Sequence, residues 1–207
     1  MKIQDEAYDY RHTSGLYFHY AYLVPELDRL LPDPATHPRL LDLGCGNGSL
    51  AEHLRRKGFQ VTGIDSSTSG ITRARSEYPE CTFRAASLAD CPLEGMAGSF
   101  DVAVSIEVIE HLFHPRHLLS AARGCLAPGA PFILSTPYHG YLKNLALALT
   151  GKFDQHFTSK RDGGHIKFWS VASLTELLES QGWEDPTFSF AGRLPFLWKS
   201  MVATCIR

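Results

Sequence analysis

The sequence predicts an α/β fold, a mainly parallel sheet with helices on both faces and an antiparallel C-terminal strand. Three observations carry that expectation. Short apolar runs of strand length recur at residues 39–43, 60–64, 101–105 and 132–135. Helical or turn-forming stretches separate them, the rhythm of strands joined by crossover helices. The 207 residues, 44% of them hydrophobic, suffice for one sizeable core but are short for two.

The elements follow in chain order. Residues 1–38 read as an N-terminal helical arm carrying Tyr17-Phe18-His19-Tyr20-Ala21-Tyr22, either a core-packing helix or a lid over a substrate. After the first strand, residues 49–57 form a helix ended by Gly58, and after the second, residues 69–78 form another ended by Pro79. His114-Pro115 opens a helix reaching about Cys125, and Pro128-Gly129 turns the chain into the fourth apolar run. Leu174, Leu177 and Leu178 repeat at helical spacing within 173–180, Gln181-Gly182 ends that helix, and two closing strands fall near Phe188 and Val202. No repeat or low-complexity tract marks a linker, so a single domain is expected over 1–207. Its parts are the arm (1–38), a cofactor-binding core (39–137), a substrate-covering insertion (138–169) and a C-terminal helix with strands (170–207).

Composition narrows the function. Twenty basic and 22 acidic residues leave a formal charge of -2, which supplies no field for a polyanion, so nucleic acid is not the expected partner. Cys45, Cys81, Cys91, Cys125 and Cys205 are odd in number and scattered, as in a reducing compartment. The acidic N-terminus is unlike a secretory signal and no apolar run reaches transmembrane length, so a cytoplasmic protein is expected.

The chemistry-bearing segment is Leu40-Leu41-Asp42-Leu43-Gly44-Cys45-Gly46-Asn47-Gly48. Glycines after a buried strand let the backbone approach a ligand closely. Dinucleotide sites use the related G-x-G-x-x-G spacing, and here the third glycine comes one residue early. Asp65 ends the next strand, 17 residues after Gly48, where a carboxylate can accept both hydroxyls of a ribose; the alternative for Asp65 is a helix N-cap.

With these two signals and the later Glu107-Val108-Ile109-Glu110-His111, the chain resembles the class I S-adenosylmethionine methyltransferases, closely over 39–137 and loosely elsewhere. The resemblance implies a Rossmann-like sheet and S-adenosylmethionine as cofactor. It implies that Asp42, Gly44, Cys45, Gly46 and Gly48 line the methionine and ribose, that Asp65 holds the ribose, and that Ser66 lies beside the adenine. Ser87 and Leu88 fall where the family often has an Asp and a small residue against the adenine, so a hydroxyl replaces the carboxylate. Ile106 matches a position on the cofactor's far side.

Glu107, Glu110 and His111 are spaced i, i+3, i+4, so one helical turn would put two carboxylates and an imidazole on one face. Such a face can hold a divalent ion, Mn²⁺ or Zn²⁺ on ligand type before Mg²⁺. The pattern is similar to ubiquinone-pathway O-methyltransferases and to small-RNA 2′-O-methyltransferases, which add a downstream histidine. His165, in Gly163-Gly164-His165-Ile166-Lys167-Phe168-Trp169, is the candidate fourth ligand. In the competing reading the segment closes the cofactor pocket without metal, and His165 is an ordinary loop residue.

Residues 135–151 also resemble the ubiquinone-type enzymes, with an apolar helix after the fifth strand that would roof a substrate pocket. Plain packing, a homodimer face or peripheral membrane contact are its alternatives, with Lys143 and Lys152 its flanking cations. The arm departs from those enzymes in lacking their arginine-containing motif. The expected reaction is O-methylation of a small or amphipathic hydroxylated molecule, with His111, His139 or His165 as general base or a metal as Lewis acid. RNA-terminus methylation, drawing on Lys160, Arg161 and Lys167, and a non-catalytic cofactor-binding protein are the competing functions.

Overall fold

The computed structural model describes residues 20–157 and 164–207. Tyr17, Phe18 and His19 of the arm, and Lys160 and Arg161 of the basic cluster, lie outside the described residues.

Among the described residues, seven strands form one sheet in the order β3-β2-β1-β4-β5-β7-β6. They are β1 (Arg39–Leu43), β2 (Gln60–Asp65), β3 (Thr82–Ala85), β4 (Val102–Ile106), β5 (Pro131–Pro137), β6 (Glu184–Ala191) and β7 (Ser200–Ile206). The first five are parallel, and β7 runs antiparallel to both β5 and β6. Asp42 of β1 is in register with Gly63 on one side and Val104 on the other. The chain thus leaves β1 for β2 on one flank and returns to β4 on the other, making a switch point at the carboxyl ends of β1 and β4, where open α/β sheets bind their ligands.

Side chains alternate between two buried layers because a strand points successive residues to opposite faces. Leu41, Leu43, Phe132 and Leu134 pack with α4 (Pro115–Cys125) and α7 (Val171–Ser180). Leu40, Val102, Val104 and Ile133 pack with α1 (Tyr20–Leu30), α2 (Ser49–Arg56) and α3 (Thr68–Glu77). Of the expected readings for the arm, its described part is the core-packing helix, since Leu23 and Leu27 of α1 are buried in this second layer.

Several expectations shift. β3 is absent from the sequence reading because only Phe83 of its four residues is buried, and an edge strand in contact on so little of its surface leaves no apolar run. α7 starts at Val171, with Ser170 and Ser173 forming a reciprocal cap, ahead of the expected 173. Among the described residues, the segment after β5 holds two short helices, α5 (Tyr141–Leu149) and α6 (Phe153–Phe157). α5 reverses the usual polarity: Tyr141, Leu142, Leu145 and Leu149 are exposed while Lys143, expected as a flanking surface cation, is 3% exposed.

An open cavity of about 500 Å³ is lined by Arg39, Gln60, Thr62 and Thr82 at the amino ends of β1 to β3. That is the edge of the sheet opposite the glycine turn.

Candidate active site

The turn after β1 owes its shape to Gly44, Gly46 and Gly48, whose φ values of 84°, 53° and 79° are all left-handed. Gly44 has a second constraint, since a Cβ there would come within 2.5 Å of Val108 Cγ2. The glycine turn and the segment after β4 are therefore packed into one unit. Asn47 Oδ1 accepts from the Ser49 backbone N–H (3.2 Å) and hydroxyl (2.9 Å), steadying the start of α2 beneath the turn.

Two carboxyls stand beside this turn. Asp65 accepts from the Gly46 N–H and the Ser67 N–H, each at 2.8 Å, so one side chain ties the turn after β1 to the end of β2. It is not the N-cap of α3; Ser67 is, accepting from Gly70. Burial pushes the Asp65 carboxyl up, opposed by those two N–H donors. Asp42 is 1% exposed, its Oδ2 makes no hydrogen bond, and burial followed by repulsion from Asp65 raises it to about 7. Each ionised oxygen can accept more than one hydrogen bond, so both residues retain capacity for a ligand's donors.

The outer positions are less engaged. Ser66 is exposed beyond β2. Ser87 accepts from Ala89 N–H at 3.2 Å and caps the short 3₁₀ turn Leu88–Asp90, so its hydroxyl already has a structural task. Cys45 is buried with its sulfur against Gly63, where an added Cβ would lie 2.7 Å away, and Ile106 closes β4 at 6% exposure.

The segment after β4 departs from a helical turn. Glu107 has φ 57°, an uncommon left-handed conformation for a non-glycine residue, and only Ile109–His111 form a 3₁₀ turn. The three side chains therefore do not share one helical face. Glu107 turns to β5, its Oε1 accepting from Ser135 at 2.9 Å, and burial raises its carboxyl to about 7. Tyr22 of α1 reaches the same neighbourhood through Ser200, with the two hydroxyls 3.4 Å apart.

Glu110, His111 and His165 do come together, their candidate ligand atoms lying within 4.8 Å of one another, and Glu107 falls outside that group. Glu110 is fully buried, accepts from Thr136 at 3.1 Å through Oε2, and leaves Oε1 without a hydrogen bond. The Glu110 carbonyl accepts from Ile166 N–H (2.9 Å) and Lys167 N–H (3.0 Å), which pins the loop carrying His165 to this turn. His111 meets His165 edge to face with ring centroids 4.8 Å apart, and its Nδ1 lies 3.3 Å from the Gly164 carbonyl.

His139 lies apart from that cluster, after β5. It is 7% exposed, stacked on Phe157 at 5.7 Å and edge-on to Phe168 at 5.1 Å, with the Asn144 side chain as its polar neighbour. Burial, reinforced by the positive charge of Lys143, lowers it to about 4, so the ring is neutral at physiological pH. Lys143 is itself buried, its ammonium donating to the Tyr138 carbonyl at 2.6 Å.

Comparison with known proteins agrees with this architecture. A family model described as a methyltransferase domain matches residues 16–186. The ubiquinone biosynthesis O-methyltransferase of Caulobacter sp. (strain K31) is 42% identical over 117 residues, 55% of this chain and 46% of the relative. The protein of the same name from Cereibacter sphaeroides (strain KD131) is 32% identical over 166 residues, 77% of this chain and 66% of the relative. The chain thus spans about half to two thirds of the length of these relatives. Among solved structures, an S-adenosylmethionine-dependent methyltransferase from Mesorhizobium loti superposes with a TM-score of 0.67 at 20% identity, covering 88% of this chain and 96% of that one. With its sheet order, its glycine turn tied to Asp65 and a family match over most of its length, the chain belongs to the class I S-adenosylmethionine-dependent methyltransferases.

Proposed function

We propose that this chain transfers the methyl group of S-adenosylmethionine to a hydroxyl of a small or amphipathic molecule. The observation that carries the reading is the left-handed glycine turn clamped by Asp65 beside a buried Asp42 oxygen that has no hydrogen bond. A buried carboxylate oxygen without a partner suits an ammonium group, and a second carboxylate at a strand end suits vicinal hydroxyls. The amino acid and ribose parts of this cofactor offer both. Gly44, Cys45, Gly46 and Gly48 would flank it, with Ile106 on its far side and Ser66, Ser87 and Leu88 at the adenine. The name of the relatives, O-methyltransferases, supports oxygen as the acceptor atom.

When bound, the cofactor supplies a methyl group already activated on a sulfonium. What remains for the protein is to align the acceptor, exclude water and take a proton. His111, His139 and His165 are available at this end of the sheet. His139 is neutral and buried among aromatic rings, while His111 and His165 meet over Glu110. Calorimetry with S-adenosylhomocysteine should give one site, and Asp65→Ala should weaken it by about 1–3 kcal/mol, the loss of charge-assisted hydrogen bonds to buried hydroxyls. No heat and no thermal shift at millimolar ligand would sink the reading.

A second reading, a divalent ion, is favoured by one observation: Glu110, His111 and His165 converge, and a buried Glu110 oxygen lacks a hydrogen bond. Their oxygen and nitrogen donors fit Mn²⁺ or Zn²⁺ better than Mg²⁺. Glu107 would then support the site from outside. Activity lost on chelation and restored by Mn²⁺ or Zn²⁺, with cofactor affinity constant, is the expected result; full activity after exhaustive chelation would rule the ion out.

A further inference from the structure

Glu107 stands in a conformation that is costly for a glutamate. Its φ of 57° is left-handed, where glycine or asparagine would make the same turn with less strain, and such outliers cluster where a side chain must be aimed. One hydroxyl fixes the result. Ser135 Oγ of β5, fully buried, accepts from the Glu107 backbone N–H at 3.0 Å and donates to its Oε1 at 2.9 Å, so the same group holds both the backbone and the carboxyl.

The place of this carboxyl is the ligand crevice. Glu107 follows β4 at the switch point, and the next residue, Val108, is the one packed against Gly44 of the cofactor turn. Across residues 102–110 only Glu107 and Val108 keep partial exposure, so these two border the crevice while the rest join the buried layers. Glu107 also stands outside the group formed by Glu110, His111 and His165. A residue needed only to join β4 to β5 would carry neither the strain nor a second carboxylate oxygen beyond the one that Ser135 engages.

We propose that Glu107 is the general base of methyl transfer, taking the proton of the acceptor hydroxyl while Ser135 holds its carboxylate at the edge of the cofactor crevice. The assignment rests on the hydroxyl-acceptor reading and adds the group that receives the proton. The acceptor oxygen bonds to the methyl carbon as the carbon–sulfur bond breaks, the electron pair of that bond staying on sulfur to leave a neutral thioether. The hydroxyl proton moves to Glu107, which becomes the neutral acid. The histidines are turned to other tasks. His111 Nδ1 lies 3.3 Å from the Gly164 carbonyl, His165 meets the His111 ring edge to face, and His139 packs after β5 between Phe157 and Phe168.

The test uses the full chain with S-adenosylmethionine, EDTA present throughout, and two pairs of acceptors, 4-nitrophenol with 4-methylphenol and 4-nitrocatechol with 4-methylcatechol. At about pH 8 the nitro compounds have already lost a proton, whereas the methyl-substituted ones, like tyrosine, keep theirs. Glu107→Gln should lower kcat on the methyl-substituted member about a hundredfold or more with KM little changed, as expected when a general base is lost. On the nitro member, which needs no base, the same variant should stay within about threefold of the parent. A purely structural role would slow both members alike. Should this variant fail to fold, Glu107→Asn, suited to the left-handed φ, repeats the comparison. Equal losses on both members, no loss on either, or no turnover of any of these acceptors by the parent would overturn the assignment. Absence of S-adenosylhomocysteine binding would instead remove the methyltransferase reading, and this one with it.

Discussion

On the proposed reading of the site, Asp42 is costly to the empty protein and useful to the loaded one. Its carboxyl is buried next to Asp65 and raised to about 7, so between the ordinary carboxylate range and pH 7 the folded chain holds a proton that the unfolded chain has released. Stability is therefore highest at low pH as far as this group is concerned, and is lost as pH rises through about 7. Asp42→Asn removes the charge that causes the loss. The variant should gain roughly 2 kcal/mol more at pH 8 than at pH 5 relative to the parent, and should bind S-adenosylhomocysteine more weakly. Thermal melts at the two pH values with and without ligand measure both, and a pH-independent difference would show that the Asp42 carboxyl titrates in the folded chain as it does in the unfolded one.

At the scale of elements, the glycine turn and the segment after β4 behave as one piece because Gly44 and Val108 leave no space between them. Gly44→Ala adds a Cβ at φ 84°, where an L residue is strained, and pushes it into the valine methyls. We expect a loss on the order of 3 kcal/mol, with cofactor binding falling and the Glu110 turn displaced at the same time. Denaturant melts and titration with S-adenosylhomocysteine on the same preparation check this; a variant of normal stability and affinity would mean that the two segments move independently. α5 carries the complementary lesson, since its apolar sequence suggests a buried helix while its fold turns Leu142, Leu145 and Leu149 outward and the lysine in.

At the scale of the whole molecule, the two buried layers meet through the central strands, and Phe132 of β5 is their largest fully buried side chain. Its ring packs on Trp183 with centroids 5.1 Å apart, linking β5 to the segment that leads into β6. Phe132→Ala should cost about 3–5 kcal/mol, the range for deleting a buried aromatic and leaving a cavity. Urea denaturation followed by tryptophan fluorescence reports it, and a cost under about 1 kcal/mol would show that the β5 layer collapses around the gap.

What the sequence by itself determined was everything carried by local pattern. Continuous apolar runs marked β1, β2, β4 and β5, His114-Pro115 marked the start of α4, and Gly44, Gly46 and Gly48 marked the tight turn after β1, because buried parallel strands, helix starts and left-handed turns each demand particular residues nearby in the chain. The edge strand β3 escaped because too little of it is buried to leave a pattern. Only the tertiary structure decided that Glu107 leaves the helical spacing for Ser135, that Glu110 and His111 meet His165 from 54 positions further on, and that Lys143 points inward. Those outcomes depend on which strands are neighbours in the sheet, and distance in space between residues on β4, β5 and β7 is set by the order β4-β5-β7, which spacing along the chain does not contain.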